Sequence, residues 1–212
     1  MSISAIIPAY NEAATIGKVI HTISHIEEVE EIFVVSDGST DETAEIARQC
    51  GAKVIELSIN RGKGGAMKVG LDSCNADIVL FLDADLIGLT ERHIRNLLAP
   101  VKNNQVDMTI GIFDGGRFST DLAQKISPFL SGQRVIRKKV LDNMCNLDIA
   151  KFGVEVALTN YVRKNKIPYC KVILEHMSHV MKEEKLGWRK GVQARIKMYW
   201  DILKGLTLVR QR

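Results

Sequence analysis

Two carboxylates, Asp83 and Asp85, stand one residue apart at the end of the apolar run Ile78 to Leu82, in the stretch "ADIVLFLDADLIGL". Read as a strand that carries on through both acids, the stretch puts positions i and i+2 on one face. Two ionised carboxylates that close repel each other unless something positive sits between them. A divalent cation does that, since Mg²⁺ or Mn²⁺ is commonly held by one or two carboxylates together with phosphate oxygens. A solvated turn or a helix cap explains a lone D-x-D just as well. Here the pair has company. Asn11 and Glu12, Asp37 to Ser39, and Asn60 to Lys63 are further polar clusters, each placed after an apolar run. A turn plus an N-cap accounts for Ser39 and Thr40, but not for three acidic turns on one edge. An acid at such a turn can accept hydrogen bonds from the N–H groups of a base, and Tyr10 offers a surface for stacking.

The elements that must position these residues alternate. "ISAIIPAY", "EEIFVVSDGS", "AKVIELS", "ADIVLFLDAD" and "VDMTIGIF" read as strands. Between them, "NEAATIGKVIHTISHI" has Ile16, Val19, Ile20 and Ile23 at helical spacing, "TDETAEIARQCG" is a helix with Thr40 or Asp41 as its cap, "GKGGAMKVGLDSC" is a glycine-opened helix, and "TERHIRNLLAPVK" is a fourth. Such alternation predicts a mostly parallel, Rossmann-like α/β sheet with helices on both faces. Ligands of such sheets bind beyond the carboxyl ends of the strands, where all four polar clusters fall. After Phe113 the pattern loosens. It returns to helical spacing at Val154, Leu158 and Val162 and to a last strand at "IPYCKVILEHMSH".

The chain has 212 residues, 46% apolar and 25% charged, which is ordinary for a globular protein with a sizeable core. The net charge of +4 is unevenly placed: residues 182–212 carry nine Lys or Arg against three acids, a net +6. A mild overall charge gives no reason to expect nucleic acid, while a basic tail points to an anionic partner or surface. That tail, with Trp188, Tyr199 and Trp200 near one helical face, predicts a packing helix or a peripheral membrane contact. No apolar run approaches the roughly 20 residues of a membrane span. No leader precedes the first strand, so the expected location is cytoplasmic, extending to the inner face of a membrane. Cys50, Cys74, Cys145 and Cys170 form no C-x-x-C pair, and buried reduced thiols are expected.

"AIIPAYNEAATIGKVI", "VVSDGSTDETAEIA", "NRGKGGAMKVGL" and "VLFLDADL" resemble successive signatures of family 2 glycosyltransferases, which have the GT-A fold. The resemblance is strong over residues 1–115 and weaker to about residue 180. It implies a single GT-A domain over 1–180, with a nucleotide-sugar half (1–112) and a smaller acceptor half (113–180), followed by a basic amphipathic tail (181–212). It implies transfer of a sugar from a nucleotide-diphosphate donor, UDP before GDP, with Mg²⁺ or Mn²⁺, to an acceptor that is a phospho-acid, a lipid or a lipid phosphate. Carried over by position, Pro8, Ala9, Tyr10 and Glu12 line the nucleoside pocket, and Asp37 contacts the base. Lys63 lies near the base or diphosphate, Asp83 and Ala84 near the ribose and metal, and Asp85 ligates the metal. Ser36 stands where the family often has a first acid, which leaves base contact to Asp37.

"FLSGQRVIRKKVL" and "FGVEVALTNYV" resemble the glucosyl/mannosyl-3-phosphoglycerate synthase branch. That implies Gly132, Gln133 and Arg134 at the sugar or acceptor. It makes Glu155 a catalytic base if the configuration inverts and a sugar-positioning acid if it is retained. A solvated basic face is the plainer reading of Arg134, Arg137, Lys138 and Lys139, and an exposed helix acid that of Glu155. Of the two histidines after the last strand, His179 matches the family's further metal ligand better than His176. An apolar patch left by the short second half would serve a homodimer. Three other readings compete: a nucleotidyltransferase, whose glycine-rich, arginine-containing first loop is absent; a dinucleotide oxidoreductase, whose G-x-G-x-x-G is absent; and a non-catalytic nucleotide-sugar-binding protein.

Overall fold

The alternation read from the sequence becomes a seven-stranded sheet in the computed structural model, which describes residues 1–114, 131–144 and 154–179, His179 by its backbone alone. In chain order the elements are β1 (Ile3–Ala9), α1 (Ile16–Ser24), β2 (Glu31–Asp37), α2 (Thr43–Gln49), β3 (Lys53–Leu57), α3 (Gly62–Ser73), β4 (Ile78–Phe81), β5 (Leu86–Ile87), α4 (Glu91–Lys102), β6 (Met108–Phe113), β7 (Arg134–Arg137), α5 (Lys138–Asp142), α6 (Val154–Lys164), β8 (Tyr169–Leu174) and β9 (Ser178–His179). The sheet order is β3-β2-β1-β4-β7-β6-β8, and β5 with β9 makes a separate two-stranded sheet. β1, β2, β3 and β4 pair in parallel, as do β6 and β8, and β7 runs antiparallel to both its neighbours. The expected mostly parallel sheet is therefore present. Residues 181–212, the tail of the sequence reading, lie outside the described residues, as does Cys145. No described helix is long and apolar enough to cross a membrane.

Strand alternation divides the core into two layers. Ile3, Ala5, Ile7, Ile78, Leu80 and Leu82 face one side, packed by Ile16, Val19, Ile20 and Ile23 of α1 and by Ile94, Leu97, Leu98 and Val101 of α4. Ile6, Val79, Phe81, Met108, Ile110 and Ile136 face the other, packed by Met67 of α3 and by Val154, Leu158 and Val162 of α6. Period 2 in the strands and period 3.6 in the helices thus meet on both faces. α3 comes closest. A Cβ on Gly70 would stand 2.5 Å from Ile6 Cγ2 and 3.2 Å from Val35 Cγ2, so glycine sets the depth at which this helix seats.

Four local expectations change. β4 stops at Phe81, so Asp83 and Asp85 lie in the turn that follows it and do not share a strand face. α2 starts at Thr43 with Glu42 at its N-cap position and no side-chain cap. Asp41 instead accepts a bond from Thr43 N at 3.0 Å. The "RVIR" that read as part of a solvated basic run is a strand, inserted between β4 and β6. Arg134 is buried in it, and Arg137 is tied to Asp107 at 3.1 Å and to the Val101 carbonyl at 2.6 Å. The described cysteines are free, yet only Cys74 is buried; Cys50 is exposed because it caps the carboxyl end of α2.

Gly70→Ala is expected to lower the stability to chemical denaturation by about 1–3 kcal/mol, the usual cost of overpacking a filled layer. An unchanged denaturation midpoint would mean that α3 is not seated as tightly as described.

Candidate active site

The polar clusters at the carboxyl edge are stitched together by main-chain donors. Asn11, in the left-handed region at φ 56, donates its N–H to Ser39 Oγ at 3.1 Å, and its side-chain carbonyl accepts from Thr40 N at 2.8 Å. Glu12 N donates to Thr43 Oγ1 at 2.8 Å and Ala13 N to Asp41 Oδ2 at 3.1 Å. Burial alone would raise the Asp41 pKa, but the bonds from Thr43 and Ala13 outweigh it and hold the carboxyl below its usual range. The loop after β1 is thereby fixed to the loop after β2. The loop after β2 is fixed in turn to the one after β3, because Asp37 Oδ1 accepts from Arg61 N at 2.7 Å. Gly38, at φ 71, lies so close to Ile59 and Asn60 that a Cβ would come within 2.9 Å of Asn60 N. Asp37 is 3% exposed and Tyr10, beside it in the stitched loops, is 50% exposed. Pro8 is half-buried in β1. Ala9 and Ala84 are buried with the core, so those two have main chain alone to offer a ligand.

The densest charge lies where the halves of the chain meet. Lys63 Nζ stands 2.5 Å from Asp83 Oδ1 and 2.5 Å from Glu155 Oε1. Lys63 comes from the first turn of α3, Asp83 from the turn after β4 and Glu155 from the first turn of α6. Gln133 Nε2 donates to Asp83 Oδ2 at 2.8 Å. A Cβ on Gly132 would land on the Asp83 carboxylate and the Lys63 ammonium, so only glycine leaves room for their contact. Arg134 is 1% exposed and donates to the Ser131 carbonyl at 2.9 Å and to Thr159 Oγ1 at 2.8 Å, while Thr159 donates to the Glu155 carbonyl at 2.8 Å. Burial lowers the Arg134 pKa to about 10 against the pull of Glu155 and Asp83, so the group is charged at neutral pH. Burial would lower Lys63 too, but Asp83 and Glu155 prevail and raise it well above the usual lysine value.

Several residues named from the sequence thus converge: Lys63, Asp83, Gly132, Gln133, Arg134 and Glu155. Glu155 is mostly buried and paired, which rules out the reading as an exposed helix acid. Asp85 lies two residues past Asp83 in the same turn, half-buried. His176 is exposed, and the side chain of His179 lies outside what the structure describes. Among the described residues no three of histidine, cysteine, aspartate and glutamate converge as a ready-made cage. The donor set fits a hard cation held by few carboxylates and completed by phosphate oxygens. Thr159 and Ser131 were missed by sequence reading. A hydroxyl four residues after Glu155, on the same helical face, was the signal for the first; nothing in the sequence marked the second.

Lys63→Met is expected to reduce stability by about 1.5–3 kcal/mol, the range for hydrogen bonds to charged groups. The folded pKa of Lys63 lies above the unfolded one, so its contribution is full below about pH 10.5 and is lost as the pH rises beyond. Denaturation at pH 7 and pH 9 should show the same gap between wild type and variant, and the gap should narrow above that range. A gap that closes between pH 7 and 9 would contradict the pairing.

Comparison with known proteins agrees with this geometry. A family model described as glycosyl transferase family 2 matches residues 4–155. Glucosyl-3-phosphoglycerate synthase of Mycobacterium tuberculosis (strain ATCC 25618 / H37Rv) is 38% identical over 109 residues, which cover 47% of this chain and 34% of that protein. The 4,4'-diaponeurosporenoate glycosyltransferase of Staphylococcus aureus (strain USA300) is 33% identical over 102 residues, 46% of this chain and 27% of that protein. The matched segments thus span between about a quarter and a third of these relatives' length. A solved structure of the M. tuberculosis glucosyl-3-phosphoglycerate synthase in complex with Mn²⁺, UDP-glucose and phosphoglyceric acid superposes with a TM-score of 0.69 at 26% identity, over 84% of this chain and 71% of that one. A further one, with Mg²⁺ and UDP, gives 0.69 at 27% over the same shares. With the sheet order, the stitched loops and the D-x-D turn all in place, the chain belongs to glycosyltransferase family 2 and has its GT-A fold.

Proposed function

We propose that this chain is a metal-dependent hexosyltransferase that moves a sugar from a nucleotide-diphosphate donor, UDP before GDP, to a small phospho-acid, with a lipid or lipid phosphate as the alternative acceptor. One observation carries the reading: Lys63, Asp83 and Glu155 meet at the carboxyl edge of a family 2 sheet, beside Asp85 and within one run of stitched loops from Asp37 and Tyr10. The M. tuberculosis relative, whose structures hold UDP-glucose, Mn²⁺ and phosphoglyceric acid, supports the donor, the metal and the first choice of acceptor.

The roles follow from chemistry and place. Tyr10 offers a ring to the base, and Asp37 a carboxylate already oriented by Arg61 N–H. Pro8, Ala9 and Glu12 line the nucleoside side. A divalent cation held by Asp85, with His179 as a further ligand, would neutralise charge on the departing diphosphate. Lys63 carries a fixed positive charge to the same region and stabilises the same developing charge. Gly132 keeps the approach to Asp83 open. Arg134, through Thr159, holds the helix turn from which Glu155 projects. From there Glu155 orients the sugar hydroxyls in a retaining transfer or takes the acceptor's proton in an inverting one.

The test is binding. Thermal unfolding with UDP- and GDP-sugars, with and without Mn²⁺, is expected to show one sugar nucleotide that stabilises wild type in a metal-dependent way. A hundredfold excess over the dissociation constant corresponds to about 2.7 kcal/mol. The shift should vanish in Asp85→Ala. A panel with no shift, or a shift indifferent to both metal and Asp85, would overturn the reading.

A further inference from the structure

Among the groups that hold the Asp83 carboxylate are two of different kinds. On Oδ1 is Lys63, a cation on a long arm whose side chain is 36% exposed. On Oδ2 is Gln133, a neutral amide that is 1% exposed. The amide is itself fixed. Ser131 Oγ lies 3.1 Å from Gln133 Oε1, and the main chain beneath the side chain is held where Gly111 N donates to the Gln133 main-chain carbonyl at 2.8 Å. The next residue opens β7, whose far end is anchored by Arg137 on Asp107.

We infer that Gln133 is a positioning residue for the D-x-D turn: it fixes the aim of Asp83 by a contact that survives when Lys63 turns to an anionic ligand. This rests on the nucleotide-sugar reading above. A diphosphate brings negative charge to the site, and a flexible lysine is drawn toward it. A carboxylate oriented by that lysine alone would lose its orientation at the moment of binding. The amide carries no charge, so it neither follows the phosphate nor repels an incoming cation. A carboxylate in its place would repel Asp83, a cation would oppose the metal, and a leucine would take a donor away from Oδ2. Buried as it is, Gln133 has almost no surface with which to touch a ligand. Its effect passes through Asp83.

The experiment uses the full chain with UDP and Mn²⁺ as the probe, measured by calorimetry, and the thermal midpoint of each variant recorded alongside. Gln133→Met keeps the volume and removes the donor. It is expected to weaken UDP–Mn²⁺ binding about tenfold or more, the usual effect of losing a group that orients a metal-site carboxylate. Gln133→Asn keeps the amide on a shorter arm and is expected to recover part of that loss; it carries the test if the Met variant does not fold. Binding by Gln133→Met equal to wild type would overturn the inference. Losses equal in Met and Asn, and proportional to a fall in thermal midpoint, would also overturn it, by showing a structural role alone. Wild type that does not bind UDP–Mn²⁺ would remove the nucleotide-sugar reading together with this one, whereas normal wild-type binding beside an indifferent Met variant removes this one alone.

Discussion

Lys63 stands between Asp83 and Glu155, 2.5 Å from each, and the rest of the site is arranged around that contact. Without the ammonium, the two carboxylates would face each other at the mouth of the sheet, and one of them would have to take up a proton. With Lys63 and the buried Arg134 on one side and Asp83 and Glu155 on the other, the charges balance, and Asp85 follows two residues on in the same turn as Asp83. Partial exposure of the Lys63 side chain matters as much as its position. A fully buried triad would forfeit in desolvation much of what it gains in attraction. Here the lysine keeps some contact with water and can be drawn to another anion.

The remaining architecture supplies rigidity where charges meet. β7 enters the sheet in the opposite direction to its neighbours, and that reversal delivers Ser131, Gly132 and Gln133 to the same edge at which β4 ends. Arg137 secures the far end of β7 on Asp107 and Val101, so its near end cannot slide without breaking an ion pair. A side chain at Gly132 would have to displace the Asp83–Lys63 contact, and Gln133 is buried and hydrogen-bonded. On the other flank, the loops after β1, β2 and β3 share hydrogen bonds from Asn11 to Asp37, so that Tyr10 and Asp37 belong to one stitched surface.

Sequence alone made the first half legible because its strands are short, nearly continuous apolar runs, as buried parallel strands are, and its helices carry apolar residues at helical spacing. The edge residues stand at the breaks between them. Asp83 and Asp85 could be singled out because two acids at the end of an apolar run are costly and so ask for a partner; the roles of Lys63 and Glu155 came through the family resemblance. The strand β7 was not legible: four residues with an arginine at each end look like a solvated run, and only the neighbours on either side make the pattern a strand. The D-x-D pair was read as sharing a strand face, but the apolar run gives no sign that β4 ends two residues before the first acid. Gly132 and Gln133 were marked through the family resemblance, yet their reasons are steric and local. A missing Cβ above Asp83 and an amide under it are properties of three dimensions.

The most direct test of the account is turnover with both substrates. Wild type mixed with UDP-glucose, Mn²⁺ and 3-phosphoglycerate is expected to release UDP only when acceptor and metal are both present, with the sugar recovered on the acceptor. Release of glucose 1-phosphate in place of UDP, or tight binding of UDP-glucose with no transfer to this acceptor or to lipid and lipid-phosphate acceptors, would contradict it and leave a nucleotidyltransferase or a sugar-nucleotide-binding protein in its place.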